Sequence, residues 1–533
     1  MTHLEYQPTE ATFIIASDGI KLATDVYLPQ GKGNKTFGTV LVRLPYGRRE
    51  AVAFLPGVAE MLSERGWALV TQDVRGKYDS DGELEPFVHE IQDGLTTLNW
   101  IERQSWSNGV VVPAGDSYFG YTAWAAAASG HNSVQGLMVR VTSPLVSRDW
   151  FYRQGVFMNA HMTEWVSSTW MGSEWVMAEL DWSLNDSEKI IEKSFNGRSS
   201  KDLHDWTINA PGSKYWKKND IDYRTALKRP LVVAHVGGWW DIFQRGQLQT
   251  WRESQGMNTG IHLLRMDAVD HVLDPLTKPH TPIIDIMADA DLRWKSLGAE
   301  LAPLFEVLSL VESGEKAENS QRVKWRPGFG DWQNGDTWPP VNATAKLFYP
   351  VDGSQAFNSA QGGVLAHSSA WSGKISWHHS PKNPVPTLER DIWRPLLSGA
   401  NQTENHERND VATFSTHPLD AQLSIAGHIQ FTANFGASND LAQVVINLSH
   451  VWPDGTAVSI ADGTALIHGA KLAPSVTVDL GDLAYEVPSG GQLRLSIAGS
   501  NYPKYKVVSG EAFSGFDQWM IIDDTAVLSV SVL

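Results

Sequence analysis

The 533-residue chain has no cysteine. That excludes a thiol nucleophile, a disulfide framework and a thiolate metal site, and it is compatible with any redox compartment. No stretch approaches the ~18 continuous apolar residues of a membrane-spanning helix. The opening residues carry charges and Pro8 where a signal peptide would need an apolar run, so a cytoplasmic location is the simplest expectation. Long basic blocks are also missing. With 60 acidic against 43 basic side chains the formal charge is −17, which works against phosphate backbones and anionic membranes. His residues are scattered and there is no HExxH, so no metal site is expected.

What remains is the composition of a folded multi-domain protein, 42% hydrophobic and 19% charged. Its length predicts two or three domains. Tryptophan is plentiful, with 23 copies; most are expected in cores, and some can line a ligand pocket.

Along the first part of the chain, strand and helix signals alternate. Two strands flank a turn at Ser17-Asp18-Gly19. "FGTVLVRLPYG" reads as a buried strand, "EMLSERGWALVTQDVRG" as helix then strand, and "IQDGLTTLNWIERQ" as an amphipathic helix. "GVVVPAGDSYFG" is a strand that runs into an alanine-rich helix, and "VQGLMVRVTS" is a further strand. This alternation predicts a mostly parallel α/β sheet covered on both faces. From 145 to 228 an insert is expected to be helical, with Met162, Trp165, Val166 and Trp170 near helical spacing. "RPLVVAHVGGWWD" and "GIHLLRMDAVDH" then resume the sheet, and "ADLRWKSLG" reads as a late helix. Short strands separated by turn signals such as Asp454-Gly455 and Asp462-Gly463 fill the last part and suggest an antiparallel sandwich or jelly roll. The expected division is 1–144 and 229–318 for the α/β core, 145–228 for the insert, and 319–533 for the all-β part.

Within "GDSYFG", Ser117 stands between a strand and a helix. A nucleophile on such a tight corner needs small neighbours, usually G-x-S-x-G. Here Phe119 takes the usual second-glycine position and Gly120 follows one residue later. A serine nucleophile needs a base, and the base an orienting acid, in the chain order Ser, Asp or Glu, His and at strand ends. Asp241 follows the strand "PLVVAHVGGWW"; its alternative role is a helix N-cap. His271 follows the next strand, and its alternative is an exposed loop histidine. His235 and His262 fall inside strands, and His280 is the reserve candidate. Asp267 and Asp270 are local orienting alternatives. Asp73 precedes the serine and reads as structural, paired with Arg75 or capping a turn. An oxyanion needs donors: the Tyr118 backbone N–H is one. The phenol of Tyr46, in "LPYGRRE", is another candidate, which composition and spacing leave open against ordinary aromatic packing.

The motifs "PYGRR", "TQDVRGKYDSDGE", "GDSYFG", "GGWWDIF", "FGDWQNGDTWPP", "SPKNPVPT", "ERNDVATFST" and "VWPDGTA" together resemble the cocaine esterase and X-Pro dipeptidyl-peptidase group of α/β-hydrolases, over most of the chain. The resemblance implies an α/β-hydrolase core with an inserted helical cap and a C-terminal jelly-roll domain. It implies Ser117 as nucleophile, Asp241 as triad acid and Tyr46 as side-chain oxyanion donor with the Tyr118 backbone. The family histidine sits in a G-P-W-x-H-like stretch; here the stretch is "DAVDH", so His271 rests on order and placement. In esterases of this group cap aromatics surround the substrate, which makes Trp150, Trp165, Trp170 and Phe243 substrate-binding candidates beside their core-packing reading. The acidic residues that amino-acid ester hydrolases carry near the nucleophile are missing from the positions after Ser117. The expected activity is hydrolysis of a small ester, without a cofactor. Amide hydrolysis, acyl transfer or X-Pro peptide cleavage are the alternatives, and an inert ligand-binding protein is the reading from another class. A homo-oligomer is left open.

Overall fold

A computed structural model describes residues 6–31, 35–257, 259–281, 285, 289–314 and 322–533. The expected boundary at 318/319 lies outside these residues. The first sheet is built from β1 (Glu10–Ile15), β2 (Lys21–Tyr27), β3 (Phe37–Leu44), β4 (Ala68–Asp73), β5 (Ser107–Asp116) and β6 (Gly136–Arg140). A small separate hairpin follows, β7 (Tyr152–Arg153) and β8 (Val156–Phe157). The sheet then resumes with β9 (Val232–Trp240), β10 (Ile261–Asp270), β11 (Arg322–Trp325) and β12 (Gln333–Gly335). Its order is β1-β2-β4-β3-β5-β6-β9-β10-β11-β12. From β4 to β11 every neighbour is parallel, while β1, β2 and β12 add antiparallel edges.

Parallel central strands are buried on both faces, which explains why β3 and β4 are apolar-rich and wholly buried. Helices α1 (Leu55–Arg65), α2 (Glu90–Glu102) and α3 (Ser117–Ala128) connect the early strands. The insert between β6 and β9 carries α4 (Asn159–Trp165), α5 (Ser187–Ser194), α6 (Lys201–Ile208) and α7 (Arg224–Leu227). Then come α8 (Gln244–Gln255), α9 (Ala290–Glu300) and α10 (Ala302–Ser313). One apolar core joins α1, α9 and α10 to β3, β4 and β9. The core on the opposite face joins α2, α3 and the insert.

Two expectations about elements are corrected. The helical spacing of the insert ends at a π-helical turn, Val166–Trp170, and residues 172–181 are irregular. Asp462-Gly463 is not a turn: it lies inside the strand Ala457–His468. Gly463 is needed there for close packing, since a Cβ would come within 2.2 Å of the Asp479 carbonyl oxygen.

Residues 344–532 form the all-β part, whose strands pair almost entirely antiparallel. Some strands are long, such as Leu423–Ala437 against Ser475–Val487. Its core is continuous with Trp239, Leu248 and Trp251 of the α/β part. Strands β11 and β12 come from the stretch expected to belong wholly to the all-β part, yet they close the edge of the first sheet. Among the described residues no helix is long and apolar enough to cross a membrane.

Candidate active site

Strand β5 ends and α3 begins at the same point, and Ser117 occupies that corner with φ +50°. A non-glycine residue in the left-handed region is strained, a feature that clusters at functional sites. Small neighbours make the corner possible. A Cβ on Gly115 would lie 2.4 Å from the Phe119 carbonyl oxygen, and one on Gly120 would lie 2.6 Å from Thr142 Cγ2. Gly120 thus lets α3 pack close to Thr142. Phe119 instead sets its ring edge-on to Tyr46, with centroids 6.3 Å apart.

His271 stands just past β10 and Asp241 just past β9. His271 Nε2 is 3.1 Å from Ser117 Oγ, and its Nδ1 is 2.7 Å from Asp241 Oδ1. Asp241 is only 4% exposed, and its carboxylate meets the imidazole; the N-cap of α8 is Phe243, and the helix start has no side-chain capping bond from it. The alternatives fall away by placement. His280 is exposed and contacts Asp454. His235 and His262 are buried inside strands, where burial pushes both below the ordinary histidine range, His262 to about 4. Asp267 pairs with Arg326. Asp270 accepts backbone N–H bonds from Val272, Asp274 and Leu396. Asp73 is structural as expected, but its partner is Arg48, through both the backbone N–H and the guanidinium. Arg75 pairs with Asp18 and Asp93 instead.

The phenol of Tyr46 points at the same place. It accepts the Trp165 indole N–H at 3.1 Å. Burial pushes it up to about 12, against the smaller opposing effect of its hydrogen bonds with Trp165 and Ser117. It therefore stays protonated near neutral pH and is available as a donor. The Tyr118 N–H lies in the first turn of α3, where backbone donors have no partner within the helix. The Tyr118 side chain turns away, donating its hydroxyl to Glu90 at 2.8 Å and accepting the Phe87 N–H.

Ser117, Tyr46, Trp165 and His271 face a cavity of about 550 Å³. Trp150, Trp170 and Phe243 do not line it, which corrects three of the four aromatic candidates. Trp150 is 1% exposed and donates to the Ser143 carbonyl oxygen. Phe243 is fully buried, with its ring 4.2 Å from Trp150 and 5.4 Å from the His271 imidazole. Trp170 packs on Tyr118 and Trp165. These rings support the wall from behind. The sequence reading missed Glu164 on α4, and Asp391 and Trp393 from the all-β part, all three of which line the cavity. Burial and the neighbouring Asp391 push the Glu164 carboxyl up to about 7, opposed by a hydrogen bond with the Trp393 side chain. No local spacing marks these residues; only the tertiary fold brings them to the serine.

Residues 18–272 match the model of the X-Pro dipeptidyl-peptidase (S15) family, and residues 315–512 match that of the X-Pro dipeptidyl-peptidase C-terminal non-catalytic domain. A cocaine esterase from Rhodococcus sp. (strain MB1 Bresler) is 24% identical over 94% of this chain and 92% of its own. A Mycobacterium bovis protein assigned by name as a serine esterase is 30% identical over 93% of this chain and 91% of its own. The chain belongs to the cocaine esterase and X-Pro dipeptidyl-peptidase group of α/β-hydrolases. The fold agrees: a solved α-amino acid ester hydrolase superposes with a TM-score of 0.76 at 18% identity, over 98% of this chain and 96% of the other. The two matched family models correspond to an α/β-hydrolase-like domain followed by an all-β domain, as in this structure.

Proposed function

We propose that the chain is a serine hydrolase that cleaves a carboxylic ester through an acyl-enzyme. The observation that carries this reading is the single line of contacts from Asp241 through His271 to Ser117 Oγ. Ser117 Oγ attacks the ester carbonyl carbon while His271 Nε2 takes its proton. Asp241 fixes the imidazole tautomer and stabilises the imidazolium. The oxyanion forms between the Tyr46 phenol and the Tyr118 N–H. His271 then gives its proton to the leaving alcohol, and water repeats the sequence to release the acid. An amide or peptide bond would be cleaved on the same groups, and transfer to another acceptor would replace the water. The substrate is a small molecule whose apolar portion rests against Trp165.

A second reading of the substrate follows from Glu164 and Asp391. Two carboxylates share the cavity with the nucleophile. Of its two arginines, Arg394 is engaged by Asp274 and Asp285 and Arg390 is exposed. This arrangement suits substrates that carry a cationic amine, the anchor missing beside Ser117 in the sequence.

Substituting Ser117→Ala is expected to lower turnover of a p-nitrophenyl ester by at least ~10⁴-fold and to abolish covalent labelling by a fluorophosphonate. A wild-type protein that resists the label would favour the inert binding protein. Turnover retained in the alanine variant would end the mechanism.

A further inference from the structure

The turn that carries His271 is gripped from the all-β part. Asp270 N–H bonds back to the Asp274 carbonyl oxygen at 3.2 Å, closing the turn around His271. Arg394 reaches it from outside, with Nε 2.6 Å from Asp274 Oδ2 and Nη2 2.9 Å from Asp274 Oδ1. The same guanidinium holds Asp285 at 2.7 Å. Two residues further on, the Leu396 N–H donates to the Asp270 carboxyl at 3.2 Å. Between these anchors the Trp393 ring lies 5.1 Å from the His271 imidazole on one side and 4.9 Å from the His161 ring on the other. Asp391 Oδ1 accepts the N–H groups of both Trp393 and Arg394, which fixes the presenting loop. His161 Nε2, on α4, faces the Ile392 carbonyl oxygen at 3.2 Å and ties the loop to the insert.

This is more support than a surface loop receives by accident of packing. The Asp274 side chain is 4% exposed and that of Arg394 15%. A bidentate, largely buried Arg–carboxylate pair fixes direction as well as distance. The imidazole already has Asp241 at Nδ1 and Phe243 below it. What it lacks from its own part of the chain is a partner on the Trp393 side and a brace for its turn, and the segment 391–396 supplies both.

We propose that Trp393 and Arg394, which fall within the match to a non-catalytic domain, are positioning residues for His271. Arg394 holds the turn through Asp274, and Trp393 restricts the imidazole to the orientation that faces Ser117. This rests on the reading of Ser117, His271 and Asp241 as the reacting groups.

The test is steady-state kinetics on p-nitrophenyl acetate for Arg394→Ala, Asp274→Asn, Trp393→Ala and Trp393→Phe, each shown to be folded by circular dichroism. Misplacing a reacting group by about 1 Å costs on the order of 100-fold. Arg394→Ala, Asp274→Asn and Trp393→Ala are therefore expected to lower kcat about 10- to 100-fold, with the rate of fluorophosphonate labelling falling in parallel and, for Asp274→Asn, at a residue that does not line the cavity, KM little changed. Trp393→Phe, which keeps a ring against the imidazole, is expected to recover most of the loss. Folded alanine variants with wild-type kcat and labelling rate would overturn the proposal, as would a loss confined to KM. If Arg394→Ala does not fold, the two Trp393 variants carry the decision. An unlabelled, inactive wild type would instead remove the triad reading itself, so the two failures are distinct.

Discussion

Burial pushes the Tyr46 phenol up to about 12, so it stays protonated and can donate a hydrogen bond near neutral pH. Removing that donor by Tyr46→Phe is expected to lower kcat about 10²- to 10³-fold, as for other oxyanion donors, with a much smaller change in KM. Stopped-flow or steady-state assays on an activated ester check it. Glu164 gives a prediction with a defined pH window. Its carboxyl is pushed up to about 7, so the cavity gains a negative charge as pH rises through that value. The ratio of kcat/KM for an ester bearing a quaternary ammonium to that for its uncharged isostere should rise across this range. Taking the ratio cancels any pH dependence of the chemical steps that both substrates share. In Glu164→Gln the ratio should stay flat; a rise that persists there would exclude Glu164 as the cause. At this scale the sequence was most legible where chain order and strand ends coincide, as for Ser117, Asp241 and His271. It was least legible for aromatic residues. Trp150, Trp170 and Phe243 have the right composition for a pocket wall, but composition does not say which face of a packed cluster meets solvent.

The corner between β5 and α3 is the element on which the chemistry turns. Its strain is tolerated because Gly115 leaves room for the Phe119 backbone. Gly115→Ala would force a methyl into a 2.4 Å contact with that carbonyl oxygen. Overpacking of this kind costs about 1–3 kcal/mol, so urea unfolding should show a lower midpoint. Activity should fall further than stability explains, because Ser117 Oγ moves with the corner. Elements were readable where burial leaves a strong mark, as in the apolar runs of β3, β4, β9 and β10. Asp462-Gly463 misled because Asp-Gly also suits a strand whose neighbour backbone passes close by. The tryptophan spacing of the insert continued past the end of α4 because Trp170, in the π-helical turn, still packs on Tyr118 and Trp165, whereas Trp175 beyond it is exposed.

Across the whole molecule, the order of core, insert and all-β part was legible from the change of texture along the chain and from the motifs. The edge of the first sheet was not, since β11 pairs with β10 only after two helices intervene. Long-range pairing of this kind leaves no local signal. Stability at low pH is also a property of the whole. His262 is 5% exposed, and neither ring nitrogen has a hydrogen-bond partner among the described residues. Its folded value of about 4 lies below the ordinary 6.5. The unfolded chain therefore takes up a proton first as pH falls, and stability is lost between pH 6.5 and about 4, on the order of 3 kcal/mol for this one group. His262→Leu should flatten that part of the Tm-against-pH curve, and a curve of unchanged slope would refute the assignment.

The cavity wall over Ser117 draws on stretches of chain that lie more than a hundred positions apart, among them the PYGRR loop, α4, and the loop around Trp393. The same stretches therefore both shape what enters and hold the reacting groups in place, since Trp165 donates to Tyr46 and Trp393 lies against His271. Exchanging the 388–396 loop or α4 with those of related enzymes would vary what is admitted only if Trp393, Arg394 and Trp165, which brace His271 and Tyr46, are retained. A mutagenesis library restricted to the neighbourhood of the nucleophile in sequence would sample only a fraction of the selectivity this scaffold can reach.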